Sequence, residues 1–501
     1  MPQFHLLSLA GAQPFDDGST PARLLLIAAA VLAVLLMALP GPRATLRRVL
    51  SPGAAAIAVL ALGASLGVSL LRTPVVEGIP FWVFSQSHFL VYQPLVADWS
   101  RRHPAQPVNI SQLTNAALER RMLSGFLAGT PVADIIAAER PVAAKAFIGP
   151  LDSVGFVDVT DRLRAEGLLE KISPSSLTPW TSRGRIFGLP LDVHPVLLAY
   201  RSDLVEAAGI DVSSIETWED YFRVLRPLQQ DFDGDGRPDR WLLNLWDTST
   251  DQIMMMLDQS GGGLFDQHDQ PQLNAARNAE VLARLVTWVA GPQRTCTDVD
   301  MFSASGHRQR LDGVIIGTLM PDWMCGMWKL EIPGLAGKVK LMPLPAWERG
   351  GRRTSVWRGG TMLGITKRAS DIEGAWAFAR NLALSTDLAE DLFRKTNIVP
   401  PNRSLWPLPV FDEPDSYFSG QPVGRIFLSV ADDVPVRSSS PFAMAAQGYL
   451  GNALVNLRAW ADSTKTYDVP TLQREAQLLL DEAQRRLVRE MSRNTFLADA
   501  P

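Results

Sequence analysis

The sequence predicts an α/β protein with two lobes, preceded by two transmembrane helices. Residues 24–39 and 54–71 form apolar runs close to the length that crosses a bilayer. From residue 79 onward, short apolar segments alternate with amphipathic ones, which is typical of a parallel sheet covered by helices. A chain of 501 residues is also too long for a single hydrophobic core, so we expect more than one lobe.

Composition argues against one class of function and suggests another feature. The net charge is −4 and charged residues make up 20% of the chain, so there is no electrostatic reason to expect nucleic-acid binding. Fourteen tryptophans stand against six tyrosines. Tryptophan offers a large flat face and one N–H donor, so some of these residues are candidates for a binding surface.

The two apolar runs predict a helical hairpin in the membrane. Their connector, residues 41–52, contains three arginines and no acidic residue, which places it on the cytoplasmic side by the positive-inside rule. The N-terminal segment, residues 1–23, and everything after residue 72 then lie outside. A cleaved signal peptide is an alternative for the first run, but it does not explain the second. We therefore expect residues 24–72 to anchor the chain.

The segment after the anchor alternates between strands and helices. Residues 79–84, 108–112 and 133–137 are short and apolar, and residues 94–102 and 116–127 have helical periodicity. Glu139 follows the third predicted strand, at the edge of an open α/β sheet where ligands bind. The final stretch, residues 471–491, predicts an amphipathic packing helix.

Residues 183–211 predict a crossover between two lobes. The apolar runs 185–191 and 196–200 are joined by almost no connector, and Asp192 and His194 lie between them. A helix closed by Gly209 follows. The alternative is an ordinary buried strand with a bend at Pro195. Gly359 and Gly360 suggest a second crossing, because glycine tolerates hinge dihedral angles, although a simple turn is also compatible with them.

Several motifs in order resemble one known family. They are LSGFLAGTPVADIIAAE (123–139), GPLDSV (149–154), RGRIFGLPLDVHPVLLAYRSDLVEAAGID (183–211), ETWEDY (216–221), TLMPDWMCGMW (318–328), WRGGTMLGITKRASDIEGAWAFARNLA (357–383) and IVPPNRS (398–404). Together they resemble extracellular solute-binding protein family 1, the sugar receptors of ABC importers similar to maltose-binding protein. Two departures occur: Val132 and Ala133 separate Pro131 from Asp134, and Arg201-Ser202 stands where the family usually has Asn-Lys.

The resemblance implies a two-lobe periplasmic-binding-protein fold of type II, in which hinge closure traps a ligand. Mapped onto this chain, lobe one covers residues 73–193 and 360–408, and lobe two covers residues 194–359 and 409–501. The implied location is the cell inner membrane, with the main domain periplasmic or otherwise extracytoplasmic. The implied partners are a small carbohydrate and ABC permease subunits.

Carbohydrate recognition uses flat apolar faces and planar polar groups. Trp323, preceded by Asp322, matches the family tryptophan that stacks on a sugar. Other candidates lie at predicted strand ends or crossovers. The full set of predicted ligand-binding residues is Trp82, Ser85, Gln86, Glu139, Asp192, His194, Trp246, Asp322, Trp323, Trp357 and Arg358. Any single tryptophan among them is more often part of a core.

The segment 231–239 has the spacing of an EF-type calcium loop. Aspartates occupy positions one, three, five and nine, and the backbone carbonyl of Arg237 takes position seven. The predicted ligands of a structural Ca²⁺ are Asp231, Asp233, Asp235, Arg237 and Asp239. Position twelve is Leu242 instead of a bidentate glutamate, so further ligands must come from water or elsewhere. The alternative is a solvated acidic turn.

Cys296 and Cys325 are the two cysteines of the chain. Because we expect them on the oxidising side of the membrane, a disulfide is favoured over two buried thiols. Neither has the setting of a catalytic nucleophile.

We interpret the chain as a membrane-anchored receptor of an ABC importer, without enzymatic activity or an organic cofactor. A ligand-sensing or assembly component of a membrane complex is an alternative, which neighbouring permease and ATPase genes would disfavour. A glycoside-active enzyme is a weaker one. Glu139, Asp192 and Asp322 supply carboxylates, but no local motif fixes a nucleophile and an acid at a defined separation.

Overall fold

The computed structural model describes residue 63 and residues 78–494, except 237, 267 and 358. Apart from Gly63, the predicted N-terminal segment and two-helix anchor lie outside the described residues, as do Arg237 and Arg358. Among the helices that are described, none has both the length and the apolar character of a membrane span. The unit that begins at Ile79 is described below.

Strands and helices alternate along most of this unit. The strands are β1 (Ile79–Val83), β2 (Val108–Gln112), β3 (Ile135–Glu139), β4 (Thr181–Ser182), β5 (Arg185–Ile186), β6 (Leu189–Pro190), β7 (Pro195–Arg201), β8 (Trp241–Asn244), β9 (Cys296–Thr297), β10 (Ile315–Pro321), β11 (Val339–Pro343), β12 (Ser355–Val356) and β13 (Thr361–Ile365). The helices are α1 (Gln86–Arg102), α2 (Asn115–Ala128), α3 (Arg140–Ala144), α4 (Thr160–Ala165), α5 (Pro174–Leu177), α6 (Ser202–Ala207), α7 (Trp218–Leu225), α8 (Thr250–Ser260), α9 (Ala276–Val289), α10 (Ala304–Leu311), α11 (Asp322–Glu331), α12 (Ile372–Ala383), α13 (Thr386–Thr396), α14 (Val423–Leu428), α15 (Ala443–Thr464) and α16 (Val469–Met491).

The first sheet has the strand order β2-β1-β3-β13-β6. β1 pairs in parallel with β2 and β3, whereas β13 runs antiparallel to β3 and β6. Apolar residues of β1 and β3 are buried on both faces of the sheet, as expected for strands covered by helices on each side. Glu139 is the last residue of β3, so the strand ends two residues later than predicted.

The second sheet has the strand order β11-β7-β10-β8-β9, and β12 also pairs with β7. β7 is antiparallel to β10, β11 and β12, and β8 is parallel to β9 and β10. All seven residues of β7 are buried. Its apolar neighbours form a continuous core that extends to the long C-terminal helices α15 and α16. The predicted amphipathic helix 471–491 therefore packs as expected.

The chain crosses between the two sheets at short extended segments. One crossover, residues 191–194, joins β6 of the first sheet to β7 of the second, and another, residues 357–360, joins β12 to β13. The backbone N–H of Val193 donates to the carbonyl of Val399 at 3.2 Å, so the segment after α13 lies beside the first crossover. The lobe limits given above stay a prediction.

Local sequence explains where α7 begins and where α6 ends. At α7, the backbone N–H of Asp220 donates to Thr217 Oγ1 at 3.1 Å, and the Asp220 carboxylate accepts from the backbone N–H of Thr217 at 3.2 Å. This reciprocal capping box satisfies backbone donors at the helix start. After α6, Gly209 adopts a left-handed conformation with φ of 65°, as the sequence predicts for a helix C-terminus.

Candidate functional site

The candidate site lies where the strand ends of both sheets meet the crossovers. In the first sheet, the carboxyl ends of β1, β3 and β6 lead to Ser85, Glu139 and Asp192. In the second, the carboxyl ends of β8, β10 and β12 lead to Trp246, Asp322 and Trp357. Ligands of open α/β sheets bind at such edges.

A buried Asp-His-Asp arrangement connects the crossovers. His194 Nδ1 lies 2.7 Å from Asp322 Oδ1, and His194 Nε2 lies 3.2 Å from Asp192 Oδ2. Asp192 accepts from the backbone N–H of Thr361 at 3.0 Å, and Asp322 accepts from the backbone N–H of Val399 at 2.8 Å. These three side chains therefore tie together both crossovers and the segment after α13.

Electrostatics make this arrangement an ion cluster. Burial opposes protonation of His194, but Asp192 and Asp322 outweigh it and raise the pKa of the imidazole to about 10. Burial also disfavours the Asp192 carboxylate, yet His194 and the Thr361 N–H hold its pKa below the usual value. His194 is thus an imidazolium at neutral pH between two buried acids. The backbone of His194 has a φ of 56°, a left-handed conformation that is uncommon for residues other than glycine and asparagine.

The two glycines of the second crossover make space for neighbouring side chains. A Cβ at Gly360 would lie 2.2 Å from Asp192 Oδ1. A Cβ at Gly359 would lie 2.4 Å from Arg140 Cδ and 2.9 Å from Arg437 Nη1. Both residues also have positive φ, at 120° and 80°, which favours glycine. The pair is thus required by close packing as well as by backbone conformation.

Three aromatic rings cluster beside the second crossover. Trp323 and Phe302 stack with ring centroids 6.4 Å apart, and Trp357 meets Trp323 edge-on at 5.9 Å. Trp357 is completely buried, whereas Trp323 is half-buried and Phe302 is 38% exposed. Trp323 and Phe302 therefore offer accessible apolar surface, and Trp357 supports them from behind. Sequence reasoning missed Phe302, which lies in the loop after β9 without a motif around it.

The other predicted residues have varied settings. Trp82 is buried in the first sheet's core, with the Arg121 guanidinium 5.9 Å from its ring. Glu139 is half-buried and accepts a 2.6 Å hydrogen bond from Asn115 Nδ2. Trp246 packs against the core of the second sheet. Ser85 precedes the first turn of α1, and Gln86 is exposed there. Their roles in ligand binding stay predictions.

A cavity of about 70 Å³ lies beside the second crossover. Its polar lining includes Arg140 from the start of α3, Asp258 from α8 and Arg437 from the segment before α15. None of these three residues was predicted from the sequence. Neither arginine belongs to a motif that marks a binding site. Arg140 directly follows Glu139, which was predicted as a site residue at the end of a strand. This position was a signal that could have identified Arg140.

The predicted calcium loop forms a compact turn on the surface. Carboxylate oxygens of Asp231, Asp233 and Asp239 lie within 4.8 Å of one another. Asp231 accepts hydrogen bonds from the backbone N–H groups of Gly234 at 2.7 Å and Gly236 at 2.8 Å. These bonds hold the pKa of Asp231 below its usual value. The donor set is all-oxygen and acidic, which fits a hard cation.

The cysteine prediction is wrong. Cys296 in β9 and Cys325 in α11 are both free and buried. Each thiol is enclosed by the apolar core of the second sheet, and burial raises the pKa of Cys296 to about 12. Packing therefore decides whether these two thiols are bonded or free. The expected cellular compartment does not reveal that packing.

Two α/β sheets joined by extended crossovers define a two-lobe binding-protein fold. The sugar-binding protein MalE from Xanthomonas citri has this fold, with a TM-score of 0.65 and 18% identity, covering 83% of this chain and 99% of that one. The family model of the bacterial extracellular solute-binding proteins matches residues 86–386. The chain belongs to this family.

Two curated relatives are named as arabinooligosaccharide-binding proteins. The relative from Halalkalibacterium halodurans is 25% identical over 361 residues, covering 71% of this chain and 78% of its own length. The relative from Bacillus subtilis is 24% identical over 403 residues, covering 77% of this chain and 88% of its own length. The family model that matches this chain is one of solute-binding proteins and not of enzymes, so this chain is a binding protein.

Proposed function

We propose that this protein is the membrane-anchored receptor of an ABC importer and closes its two lobes around an oligosaccharide. The observation that carries the proposal is the aromatic surface of Trp323 and Phe302, which lies where strand ends of the second sheet meet the crossovers. Aromatic faces suit the C–H patches of sugars. The arabinooligosaccharide-binding relatives support the same class of ligand.

Closure works by a population shift. A ligand that contacts both lobes only in the closed form stabilises that form by its differential affinity. The crossovers at residues 191–194 and 357–360 are the connections that bend, while each sheet moves as a rigid body. The closed form then docks on the permease.

A titration followed by tryptophan fluorescence and calorimetry tests the proposal. The ligands are arabino-oligosaccharides, lactose, galactobiose and maltose, each at neutral pH. We expect Trp323→Ala to weaken binding by about 2 kcal/mol, a typical cost of removing a buried aromatic contact at an interface. Trp460→Ala is the matched control. Trp460 is also half-buried against the core of the second sheet, but it belongs to α15. Equal affinities of Trp323→Ala and the parent protein would refute this site.

The membrane anchor belongs to the same proposal. The apolar runs 24–39 and 54–71 and the arginine-rich connector support insertion of residues 24–72, with the binding domain outside the cytoplasm at the inner membrane. Alkaline extraction of membranes tests it. We expect the full chain to stay in the membrane pellet and a chain starting at residue 73 to be soluble. Release of the full chain into the supernatant would contradict anchoring.

We also propose that the loop 231–239 holds a structural Ca²⁺. The convergence of Asp231, Asp233 and Asp239 supports it, and Asp235 and the carbonyl of Arg237 are the further predicted ligands. A bound ion stabilises the folded state by RT ln(1 + [Ca²⁺]/Kd), about 2.7 kcal/mol at a hundredfold excess over Kd. We expect Ca²⁺ to raise the melting temperature of the parent and not of Asp231→Asn. Absence of heat and of stabilisation in the parent would exclude the ion.

A further inference from the structure

The cavity beside the second crossover contains two arginines from different parts of the fold. Arg140 follows β3 of the first sheet, and Arg437 lies in the segment 434–440, which leads into α15 of the second half. Both side chains pass Gly359, where an added Cβ would collide with them. The segment is fastened to the first half as well, since Arg140 Nη2 donates to the carbonyl of Ser438 at 2.6 Å.

The guanidinium groups are not fully satisfied by the protein. The Nε atoms of Arg140 and Arg437 are buried, and neither has a hydrogen-bond partner among the described residues. Burial lowers the pKa of Arg437 to about 9, and the neighbouring charge of Arg140 acts in the same direction. A buried cation without an acceptor is costly. Both arginines that line the cavity therefore carry a buried Nε–H donor without an acceptor among the described residues.

The acidic side chains around the cavity do not supply that acceptor. Asp251 accepts from Gln447 Nε2 at 3.1 Å, and Asp269 accepts from the hydroxyl of Ser438. Asp258 also lines the cavity, and its charge acts on both arginines. No ion pair joins Asp258 to Arg140 or Arg437 in the part of the chain that the structure describes, and the Asp258 carboxyl is not the hydrogen-bond partner of either Nε atom.

We propose that this cavity receives a carboxylate carried by the saccharide ligand, as in an oligosaccharide that contains a hexuronic acid. The inference rests on the proposed function and adds the chemical class of the ligand. A planar carboxylate matches the fork of a guanidinium with two parallel hydrogen bonds. About 70 Å³ holds such a group, because one water needs roughly 10–15 Å³ on the same measure.

The position of the arginines gives the carboxylate a part in closure. Arg140 belongs to the half with the first sheet, and Arg437 belongs to the half with the second. A single carboxylate that contacts both side chains would bridge the two halves and so stabilise the arrangement in which the two arginines meet beside Gly359. A neutral sugar at the aromatic surface gains no such bridging contact.

Calorimetry with paired ligands tests the inference. Each of several uronate-containing oligosaccharides is compared with its neutral counterpart of the same length and linkage, for example trigalacturonate with galactotriose. We expect the best acidic ligand to bind at least about tenfold more tightly than its neutral counterpart, which is the contribution of hydrogen bonds to a charged group. Its affinity should fall as NaCl increases, because salt screens charge pairs, while neutral binding stays constant.

Variants assign the effect to the cavity. We expect Arg437→Gln to weaken the acidic ligand by about 10- to 100-fold and the neutral ligand by less than about threefold. Arg437→Lys should recover part of the acidic preference, because it keeps the charge without the fork. Arg349→Gln is the control: its side chain is exposed and pairs with Glu216 away from the cavity, so both affinities should be unchanged.

The outcomes separate the inference from the proposed function. Neutral ligands that bind as tightly as every acidic counterpart, or an Arg437→Gln variant that weakens both equally, would overturn the carboxylate assignment and leave a sugar receptor. Absence of binding to acidic and neutral saccharides alike would overturn both.

Discussion

Replacing His194 with glutamine tests the ion cluster at the crossovers. His194 lies between the carboxylates of Asp192 and Asp322 at 3.2 and 2.7 Å. The substitution leaves two buried acids without the cation that they share. Removing one partner of a buried ion pair typically costs about 3–5 kcal/mol, because the remaining charge stays desolvated. We therefore expect a large loss in the free energy of unfolding at neutral pH.

The pH dependence gives a sharper measure of the same cluster. The pKa of His194 is raised from 6.5 to about 10 in the folded protein. At about 1.4 kcal/mol per pKa unit, this corresponds to roughly 5 kcal/mol. Because the folded-state pKa is the higher one, the contribution is complete below about pH 6.5. It is lost progressively as the pH rises through about 10.

Urea unfolding between pH 7 and 9 measures this effect. His88, whose pKa burial lowers to about 4, is neutral in the folded protein throughout this window and is partly protonated in the unfolded chain only near pH 7. We expect the free energy of unfolding of the parent to fall by roughly 1.4 kcal/mol per pH unit on account of His194. His194→Gln should lose that slope, while His268→Gln, which alters an exposed histidine, keeps it. An unchanged slope in His194→Gln would refute the reasoning.

Three further predictions concern packing and cysteine chemistry. Gly360→Ala should destabilise the protein by about 2 kcal/mol or more in urea unfolding, because its Cβ would lie 2.2 Å from Asp192 Oδ1. Gly209→Ala, which has similar backbone conformation but open space around it, should cost only about 1 kcal/mol. Arg310→Met should lower the unfolding free energy by about 3 kcal/mol, since the buried guanidinium donates to Asn244 Oδ1 at 2.7 Å and Met301 O at 2.9 Å. Because both thiols are free, dithiothreitol should leave the melting temperature unchanged; a decrease would indicate a disulfide.

The sequence predicted the fold well because the relevant signals are local. Alternating apolar and amphipathic segments depend on the periods of strands and helices, which are readable within a short window. The crossover at residues 191–194 was visible as two apolar runs without a connector. The order of several motifs then indicated the family, which the match over residues 86–386 confirms.

The site was less predictable because it depends on contacts between distant segments. Asp192 and His194 stay predicted ligand contacts, but the sequence did not reveal that His194 lies between Asp192 and Asp322 in a buried cluster at the crossovers. Phe302 stacks on Trp323 because β9 and β10 belong to the same sheet, and this pairing is not visible in the sequence. Periodicity does not reveal which polar groups a buried residue will meet.

The sequence by itself therefore determined the α/β class, the crossover at residues 191–194 and Trp323 as a candidate for sugar stacking. Only the tertiary structure decided that both thiols are buried and free. It also decided that Arg140 and Arg437 share one cavity. The physical reason is that secondary structure follows from neighbouring residues, whereas burial and charge pairing follow from how complete elements pack. In this protein the two crossovers set that packing, because each short extended segment brings side chains of both sheets to the same place.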